Sequence, residues 1–210
     1  MNLKADFPAL TLAVRTEPVQ QRSTERITSL LDAAAVLIDQ HGIDGLTTSD
    51  VASRSGSSVG VVYRYFPNIQ SLLRALAGRN LERFVARIQG VSTAGMADWS
   101  SAADSIIDAY LELARTEPGF RAVRFGEVID ERFIQPTAGT TTTIAQAFDQ
   151  LLVNRYGFAA TAALTFDLDV IVEIGDALLH RAFLYSADGD DRFVAKLRAL
   201  VRELLTPHQA

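Results

Sequence analysis

The sequence predicts an all-α protein, and three of its features support that prediction. Apolar residues recur at spacings of three and four along most of the chain, which places them on one face of a helix. Apart from a few β-branched pairs, no segment alternates apolar and polar residues as a strand does. Glycine and proline separate the periodic segments where helices would end.

The composition is that of a globular protein and excludes several classes of function. The chain has 210 residues, of which 48% are hydrophobic and 21% charged. It contains no cysteine, which excludes a disulfide framework, a thiolate metal site and a thiol nucleophile. Its start does not resemble a signal peptide, and no run approaches the roughly 18 apolar residues of a membrane span. We therefore expect a cytoplasmic protein without a membrane partner.

The formal net charge of −5 is unevenly distributed along the chain. Residues 1–80 contain 8 Lys or Arg and 7 Asp or Glu, a net charge of +1, whereas residues 81–210 contain 12 and 18, a net charge of −6. Binding to a polyanion depends on the field at the contact face rather than on the total charge. The overall acidity therefore does not exclude DNA as a partner of the N-terminal part.

The N-terminal part begins with an arm that is followed by a strongly amphipathic helix. Pro8 and Pro18, and the lack of a sustained period, predict a flexible arm over residues 1–20. Ser23 or Thr24 then caps a helix that ends at Gly42. Its apolar positions are Ile27, Leu30, Leu31, Ala34, Leu37 and Ile38.

Two short helices and one long helix are predicted next. Thr47, followed three residues later by Asp50, indicates a capped short helix that closes at Gly56. A second short helix runs from about Ser58 to residue 65, since Pro67 cannot continue it. Residue 68 is an asparagine that can cap the long helix, which reaches Gly90.

Further helices are predicted from Trp99 to the Pro118-Gly119 turn and at about 120–133, 138–156, 162–186 and 190–205. The last two have apolar stripes with a spacing near 3.5, typical of a four-helix bundle between subunits. The alternative is that both stripes face the core of their own subunit, and each helix has enough apolar area for both contacts. The stripes consist of Leu168, Ile171, Gly175, Leu178, Ala182 and Tyr185, and of Phe193, Leu197, Leu200 and Leu204.

The two short helices have the dimensions of a helix-turn-helix, whose second helix enters the major groove of DNA. The inward positions would be Val51, Ala52, Val62 and Phe66. Hydroxyl, aromatic and cationic groups on the outer side suit a DNA backbone, and two valines suit thymine methyl groups. Spacing alone would equally fit a helical core with a solvated face. The outward residues are Thr48, Ser57, Ser58, Val59, Val61, Tyr63, Arg64 and Tyr65.

The exact string favours DNA binding. Residues 42–73 read GIDGLTTSDVASRSGSSVGVVYRYFPNIQSLL, and this stretch closely resembles the DNA-binding signature of TetR-family repressors. The resemblance implies a helix-turn-helix domain at 21–67, a connector helix at 68–89 whose tilt reports on ligand, and a helical ligand-binding and dimerisation domain at 90–210. The positions that commonly meet DNA in the family are then Thr48, Ser57, Ser58, Gly60, Val61, Tyr63 and Tyr65.

One position departs from the family pattern. Where the family usually has a phosphate-binding lysine, three residues after Phe66, this chain has Ile69. Asn68, with the N–H groups at the start of the connector, can replace part of that contact. Arg22 and Arg26 are further candidates for phosphate contacts, although a charged residue at the start of an exposed helix is more often only solvated.

The resemblance also implies a small, largely apolar effector, which is not identified by the sequence. A buried polar group needs a partner, and an effector can supply one; core packing or surface exposure is the alternative for each candidate. With only three histidines in the chain, we expect no metal site. The candidates are Tyr110, Phe120, Arg121, Arg124, Glu127, Phe148, Leu151, Asp176, His180 and Phe183.

We therefore predict a DNA-binding regulator, most simply a repressor that binds a palindromic operator as a homodimer through its last two helices. An enzyme is disfavoured, because the sequence has no nucleophile elbow, phosphate-binding glycine loop or zinc-protease motif. A helical adaptor that keeps the fold without binding DNA is the other alternative. The intact hydroxyl and tyrosine pattern of residues 57–65 argues against it.

Overall fold

The computed structural model describes residues 21–91, 98–122 and 143–209, which form eight α-helices and no strand. The prediction of an all-α protein is confirmed. The predicted arm, Arg124 and Glu127 lie outside the described residues, as does most of the helix predicted at 120–133. The helices are α1 (Gln21–His41), α2 (Thr48–Arg54), α3 (Val59–Tyr65), α4 (Ile69–Gln89), α5 (Trp99–Thr116), α6 (Thr143–Tyr156), α7 (Ala162–Phe183) and α8 (Asp191–Leu205), followed by a 3₁₀ turn (Thr206–His208).

The described residues divide into two compact units. The first contains residues 21–80 and 117–122, and the second contains residues 81–116 and 143–209. The division falls inside α4, after Asn80, and so within the segment predicted as the connector. A segment that follows α5 in the sequence thus belongs to the N-terminal unit.

Side-chain caps fix the helix boundaries of the first unit. Thr47, Ser58 and Asn68 each accept a hydrogen bond from the backbone N–H three residues ahead, at 3.1, 3.3 and 2.8 Å. These bonds satisfy N–H groups that have no partner within the helix. The caps predicted at Thr47, Ser58 and Asn68 are therefore confirmed. The cap predicted at Ser23 or Thr24 is wrong, because α1 begins at Gln21 and both residues lie inside it.

The inward face of the helix-turn-helix is the centre of the first unit. Val51, Val62 and Phe66 are fully buried and belong to one core cluster with Leu30 of α1 and Leu72 of α4. The four residues predicted to point inward, including the buried alanine at position 52, do so. Side chains from α1, α2 and α4 therefore enclose the inner side of α3.

The turn at 117–122 corrects the predicted location of two effector candidates. Gly119 has a φ of +70°, and a Cβ there would lie 2.9 Å from Ala35 Cα, so the turn packs directly on α1. Phe120 is 1% exposed, and Arg121 pairs with Asp39 of α1 at 3.7 Å. Phe120 and Arg121 therefore belong to the N-terminal unit and not to the C-terminal domain in which the sequence placed them.

In the second unit, α8 is held by charged contacts with α5 and by close packing on α7. Arg198 reaches Asp104 at 3.0 Å and Asp108 at 2.6 Å, both on α5. Leu197 of α8 packs beside Gly175 of α7, where an added Cβ would lie 3.9 Å from Leu197 Cδ1, an ordinary van der Waals distance. These contacts position α8 against two helices at once.

The ends of α8 are also fixed by side chains. Asp190 caps its start by accepting from the N–H of Arg192 at 3.0 Å, and the side-chain hydrogen bond from Arg192 lowers the pKa of Asp190 to about 2. After α8, His208 lies 2.6 Å from Asp167 of α7, and Gln209 accepts a bond of 3.1 Å from the Trp99 indole. The C-terminal segment is therefore attached to both α7 and α5.

The two predicted stripes differ in burial. On α7, Leu168, Ile171, Gly175 and Ala182 are buried within the single chain, which favours the alternative that this stripe serves the core of its own subunit. On α8 only Leu197 of the predicted stripe is buried, whereas Phe193, Leu200 and Leu204 are half-buried. They repeat at helical spacing because a core requires the same periodicity as an interface. The strongly exposed apolar residues of this region are instead Phe166, Leu184 and Tyr185.

Replacing Gly119 with alanine tests the packing of the 117–122 turn. An L-residue with positive φ costs about 1–2 kcal/mol, and overpacking against α1 adds about 1–3 kcal/mol. Gly42→Ala is the matched control, because Gly42 has a φ of +76° and no atom within 4 Å of an added Cβ. Denaturant unfolding should show a larger loss of stability for Gly119→Ala. Equal losses would contradict the close contact with Ala35.

Candidate DNA-binding surface

The turn between α2 and α3 is built around one left-handed glycine. Gly56 has a φ of +63°, and the N–H of the next residue, Ser57, donates to the Ala52 carbonyl at 2.9 Å. A glycine at this position ends α2 with little strain. The chain then reverses into the Ser58 cap, which begins α3.

The short helix α3 has two sharply different faces. Its inward side chain, Val62, is fully buried, whereas Tyr63 is 45% exposed and Val59, Gly60 and Arg64 are also exposed. The outer face therefore presents a methyl-bearing side chain, a residue without a side chain, a phenol and a guanidinium. Such groups can approach base edges closely and bind phosphate oxygens.

The exposed hydroxyls of α2 and α3 are connected. Thr48 Oγ1 donates to the Tyr63 hydroxyl oxygen at 3.3 Å. With its oxygen accepting this bond, Tyr63 keeps its own O–H available for a second acceptor. The pair therefore fixes the direction of a hydroxyl donor on the exposed surface, where a phosphate oxygen can accept from it.

Two residues predicted to point outward do not do so fully. Val61 is half-buried and packs against the core of the first unit, and Tyr65 is buried. It is 7% exposed, and its hydroxyl lies 3.1 Å from Ser23 Oγ at the start of α1. The prediction that it points outward is wrong, because Tyr65 follows the inward Val62 by three residues and shares its helix face. The guanidinium carbon of Arg64 lies 5.9 Å from the centre of the Tyr65 ring, within the range of a cation–π contact.

The residues at the start of α4 have structural roles. Asn68 uses its side-chain oxygen to cap the helix, and its backbone N–H donates to Ser71 Oγ at 3.3 Å. Ile69 is half-buried and packs against the core of the first unit. The aliphatic side chain that replaces the usual lysine therefore contributes to packing.

Two acidic side chains of α1 form ion pairs. Asp32 and Asp39 each pair with an arginine, at 2.6 and 3.7 Å. Within the described residues, no carboxylate oxygen lies within 4 Å of Arg26 or Arg64. Arg26 instead donates to Ser57 Oγ at 3.3 Å, beside the start of α3. The outer face of the helix-turn-helix thus keeps cations that are not neutralised by an ion pair.

The effector candidates of the second unit are dispersed over three helices. Tyr110 of α5 is buried and packs edge-on against Phe84, with ring centres 5.6 Å apart. Phe148 and Phe183 are buried as well, whereas Leu151, Asp176 and His180 are half-buried. In the described part of the chain, no three His, Asp or Glu side chains are arranged to hold a metal ion.

Two family models together match most of the chain. The model described as "Bacterial regulatory proteins, tetR family" matches residues 30–76, and the one described as "Tetracyclin repressor-like, C-terminal domain" matches residues 97–209. A TetR-family transcriptional regulator from Streptomyces coelicolor is 36% identical, with a TM-score of 0.71 over 88% of this chain and 97% of that one. The chain belongs to the TetR family of transcriptional regulators. The predicted family and DNA-binding regulatory class are confirmed, and family and fold are those of regulators rather than enzymes.

Similarity to curated relatives is more local. The transcriptional repressor KstR of Mycolicibacterium smegmatis is 35% identical over 71 residues, which are 34% of this chain and 35% of KstR. The nucleoid occlusion factor SlmA of Haemophilus influenzae is 27% identical over 144 residues, which are 67% of this chain and 61% of SlmA. The chain thus spans less than two thirds of either relative. Among the described helices of this TetR-family protein, none is both long and apolar enough to cross a bilayer.

Sequence reasoning missed the hydrogen bonds that join α1 to this surface. The sequence suggests Ser23 as a helix cap, whereas its hydroxyl contacts Tyr65. The sequence suggests Arg26 as a phosphate ligand but does not predict its hydrogen bond to Ser57. These contacts join residues 42 and 31 positions apart, so no local pattern signals them.

Replacing Tyr63 with alanine should affect DNA binding more than folding. The side chain is 45% exposed and lies outside the core, so little buried area is lost. We expect operator affinity to fall by at least about tenfold, or 1.4 kcal/mol, with the thermal midpoint nearly unchanged. Fluorescence anisotropy and calorimetry measure the two quantities. A variant that loses stability but keeps its operator affinity would contradict an outward, DNA-contacting Tyr63.

Replacing Arg64 with alanine should reduce the salt dependence of operator binding. A cation that contacts one phosphate contributes about 0.9 to the slope of log affinity against log salt concentration. Titrations of wild type and Arg64→Ala at several salt concentrations give this slope. Unchanged affinity and slope would show that the exposed guanidinium of Arg64 does not touch phosphate.

Proposed function

We propose that the protein is a repressor that binds a palindromic DNA operator as a homodimer and is released by a small, largely apolar effector. It acts where the chromosome lies, in the cytoplasm. The observation that carries the proposal is the outer face of α3, where exposed Val59, Gly60, Tyr63 and Arg64 stand opposite a fully buried inner face.

In this proposal α3 enters the major groove. Val59 and Gly60 lie at its start, where a recognition helix approaches base edges, and Val59 can contact a thymine methyl group. Thr48 donates to Tyr63, whose own O–H donates to a backbone phosphate, and Arg64 adds a charge-assisted bond. Phosphate contacts set the register, so specificity rests on the few residues that reach base edges.

The homodimer would form through α7, α8 and the turn after α7. Phe166 is 67% exposed, Tyr185 is 84% exposed, and Leu184 between them in sequence is also exposed. Phe166 lies near the start of α7, and Leu184 and Tyr185 follow its end, so both ends of this helix present large apolar side chains that can contact another protein. A two-fold axis through this surface brings the same residues of both subunits together and requires half-sites with dyad symmetry.

The effector would bind in the second unit, whose candidate contacts are Tyr110, Phe148, Leu151, Asp176, His180 and Phe183. To release the DNA, the effector need only bind the dimer conformation that cannot bind DNA more tightly than the conformation that can. A preference of about 2.7 kcal/mol already shifts the equilibrium about a hundredfold. The proposed transmission runs through α4, which has residues in both units.

Selection of genomic DNA fragments on the immobilised protein, followed by sequencing and footprinting, tests this function. A repressor of this kind should enrich a small set of sites with dyad symmetry. A helical adaptor or an enzyme should enrich none. Release of the bound fragment by a panel of small apolar compounds then tests the effector, and a protein that no compound releases would be a constitutive repressor.

Replacing Tyr185 with arginine tests the proposed dimer surface. Because Tyr185 is almost fully exposed in the single chain, the substitution should leave folding intact and place two like charges at the two-fold axis. We expect a monomer by light scattering at micromolar concentration and an operator affinity reduced by at least about tenfold. Gln150→Arg, on the exposed side of α6, should remain a dimer. A dimeric Tyr185→Arg protein would exclude this surface.

A further inference from the structure

The first turn of α1 is hydrogen-bonded to both ends of the recognition helix. At the start of α3, Arg26 Nη1 donates to Ser57 Oγ over 3.3 Å. At its end, the hydroxyls of Ser23 and Tyr65 lie 3.1 Å apart. Two residues of α1 that are three positions apart therefore contact the two ends of the segment 57–65.

These bonds supply a restraint that apolar packing lacks. Helix α3 has only seven residues, too few to be stable alone, and is held by the burial of side chains such as Val62 and Phe66. Apolar burial is not directional. It therefore keeps the helix in the core but does little to prevent small changes in the tilt of the helix. Hydrogen bonds at both ends fix the direction in which the outer face points.

Arg26 has the chemistry for a second role. A guanidinium has five N–H donors, and its bond to Ser57 uses one of them. The residue is exposed, and the described part of the chain places no carboxylate in ion-pair range of it. Its remaining donors can therefore bind a phosphate oxygen while Ser57 is still held. The position also offers a cation on a surface where Ile69 provides none.

We propose that the first turn of α1 is part of the DNA-binding site. Ser23 acts as a positioning residue through Tyr65, and Arg26 both positions Ser57 and binds a DNA phosphate directly. This inference rests on the proposed operator binding. The sequence already offers Arg26 as a candidate for a phosphate contact, and the structure adds its bond to Ser57 and the contact of Ser23 with Tyr65.

Arg26→Gln tests the phosphate contact, since glutamine keeps a donor for Ser57 but removes the charge. The slope of log affinity against log salt concentration should fall by about 0.9 per subunit. Arg155→Gln removes the same charge from an exposed position on α6 and should leave the slope at the wild-type value. Arg26→Lys should keep the slope, because it keeps the charge. It should bind the operator less tightly, because lysine lacks the planar guanidinium group with its several N–H donors. An Arg26→Gln protein with wild-type slope would overturn the phosphate contact.

A double-mutant cycle tests the positioning role of Ser23. Ser23→Ala and Tyr65→Phe each remove one hydroxyl of the pair and keep the buried ring. Each should lower operator affinity by about three- to tenfold, and the double variant should lose no more than either single one, because one shared bond is lost in all three. Binding to non-specific DNA should not change. Additive losses, or equal losses on operator and non-specific DNA, would overturn the positioning role.

The wild-type protein separates this inference from the proposed function. If wild type enriches no operator, the proposed function itself fails. If wild type binds its operator and the Arg26 and Ser23 variants match it in affinity and slope, the inference about α1 alone fails. Thermal unfolding of each variant, measured alongside, shows whether a loss of affinity follows from loss of the folded state.

Discussion

The DNA-binding unit depends on the burial of one face of a helix that is too short to be stable alone. Val62 and Phe66 are fully buried in a cluster that also contains Leu30 and Val51. A seven-residue helix gains its stability from such contacts rather than from its own hydrogen bonds. Because the inner face is enclosed, the polar and aromatic residues of the opposite face must be exposed. The same packing therefore buries the inner face of α3 and exposes its outer face.

Polar contacts set the starts of the helices and the orientation of α3, which apolar burial alone does not determine. The caps at Thr47 and Ser58 set where α2 and α3 begin, and the Thr48–Tyr63 bond connects their exposed faces. Two further bonds attach α3 to the first turn of α1. Each bond contributes only about 0.5–1.5 kcal/mol to stability. These bonds matter because they orient α3, and a recognition helix must present its side chains to DNA at a defined angle.

The second unit follows the same division between packing and polar attachment. Helix α8 packs on α7, where Leu197 lies beside Gly175, and Arg198 connects it to two aspartates of α5. The core of this unit uses most of the predicted apolar stripe of α7, but only Leu197 of the stripe of α8. What remains outside is a smaller exposed group that includes Phe166 and Tyr185. The periodicity of a helix therefore does not distinguish a core from an interface, whereas the exposure of each residue does.

The sequence by itself determined the all-α class, the helix-turn-helix, its caps and the family, because these depend on local features. A cap joins residues three positions apart, a helix face repeats every 3.6 residues, and the signature lies within residues 42–73. Only the tertiary structure decided that Tyr65 points inward to Ser23, that Phe120 belongs to the N-terminal unit, and that Arg26 reaches Ser57. These contacts join residues far apart in the chain, and an aromatic or cationic side chain fits a core, a pocket or a surface equally well until its neighbours are known. The relative positions of the helices select among these environments, and they arise from the packing of the whole unit rather than from any local pattern.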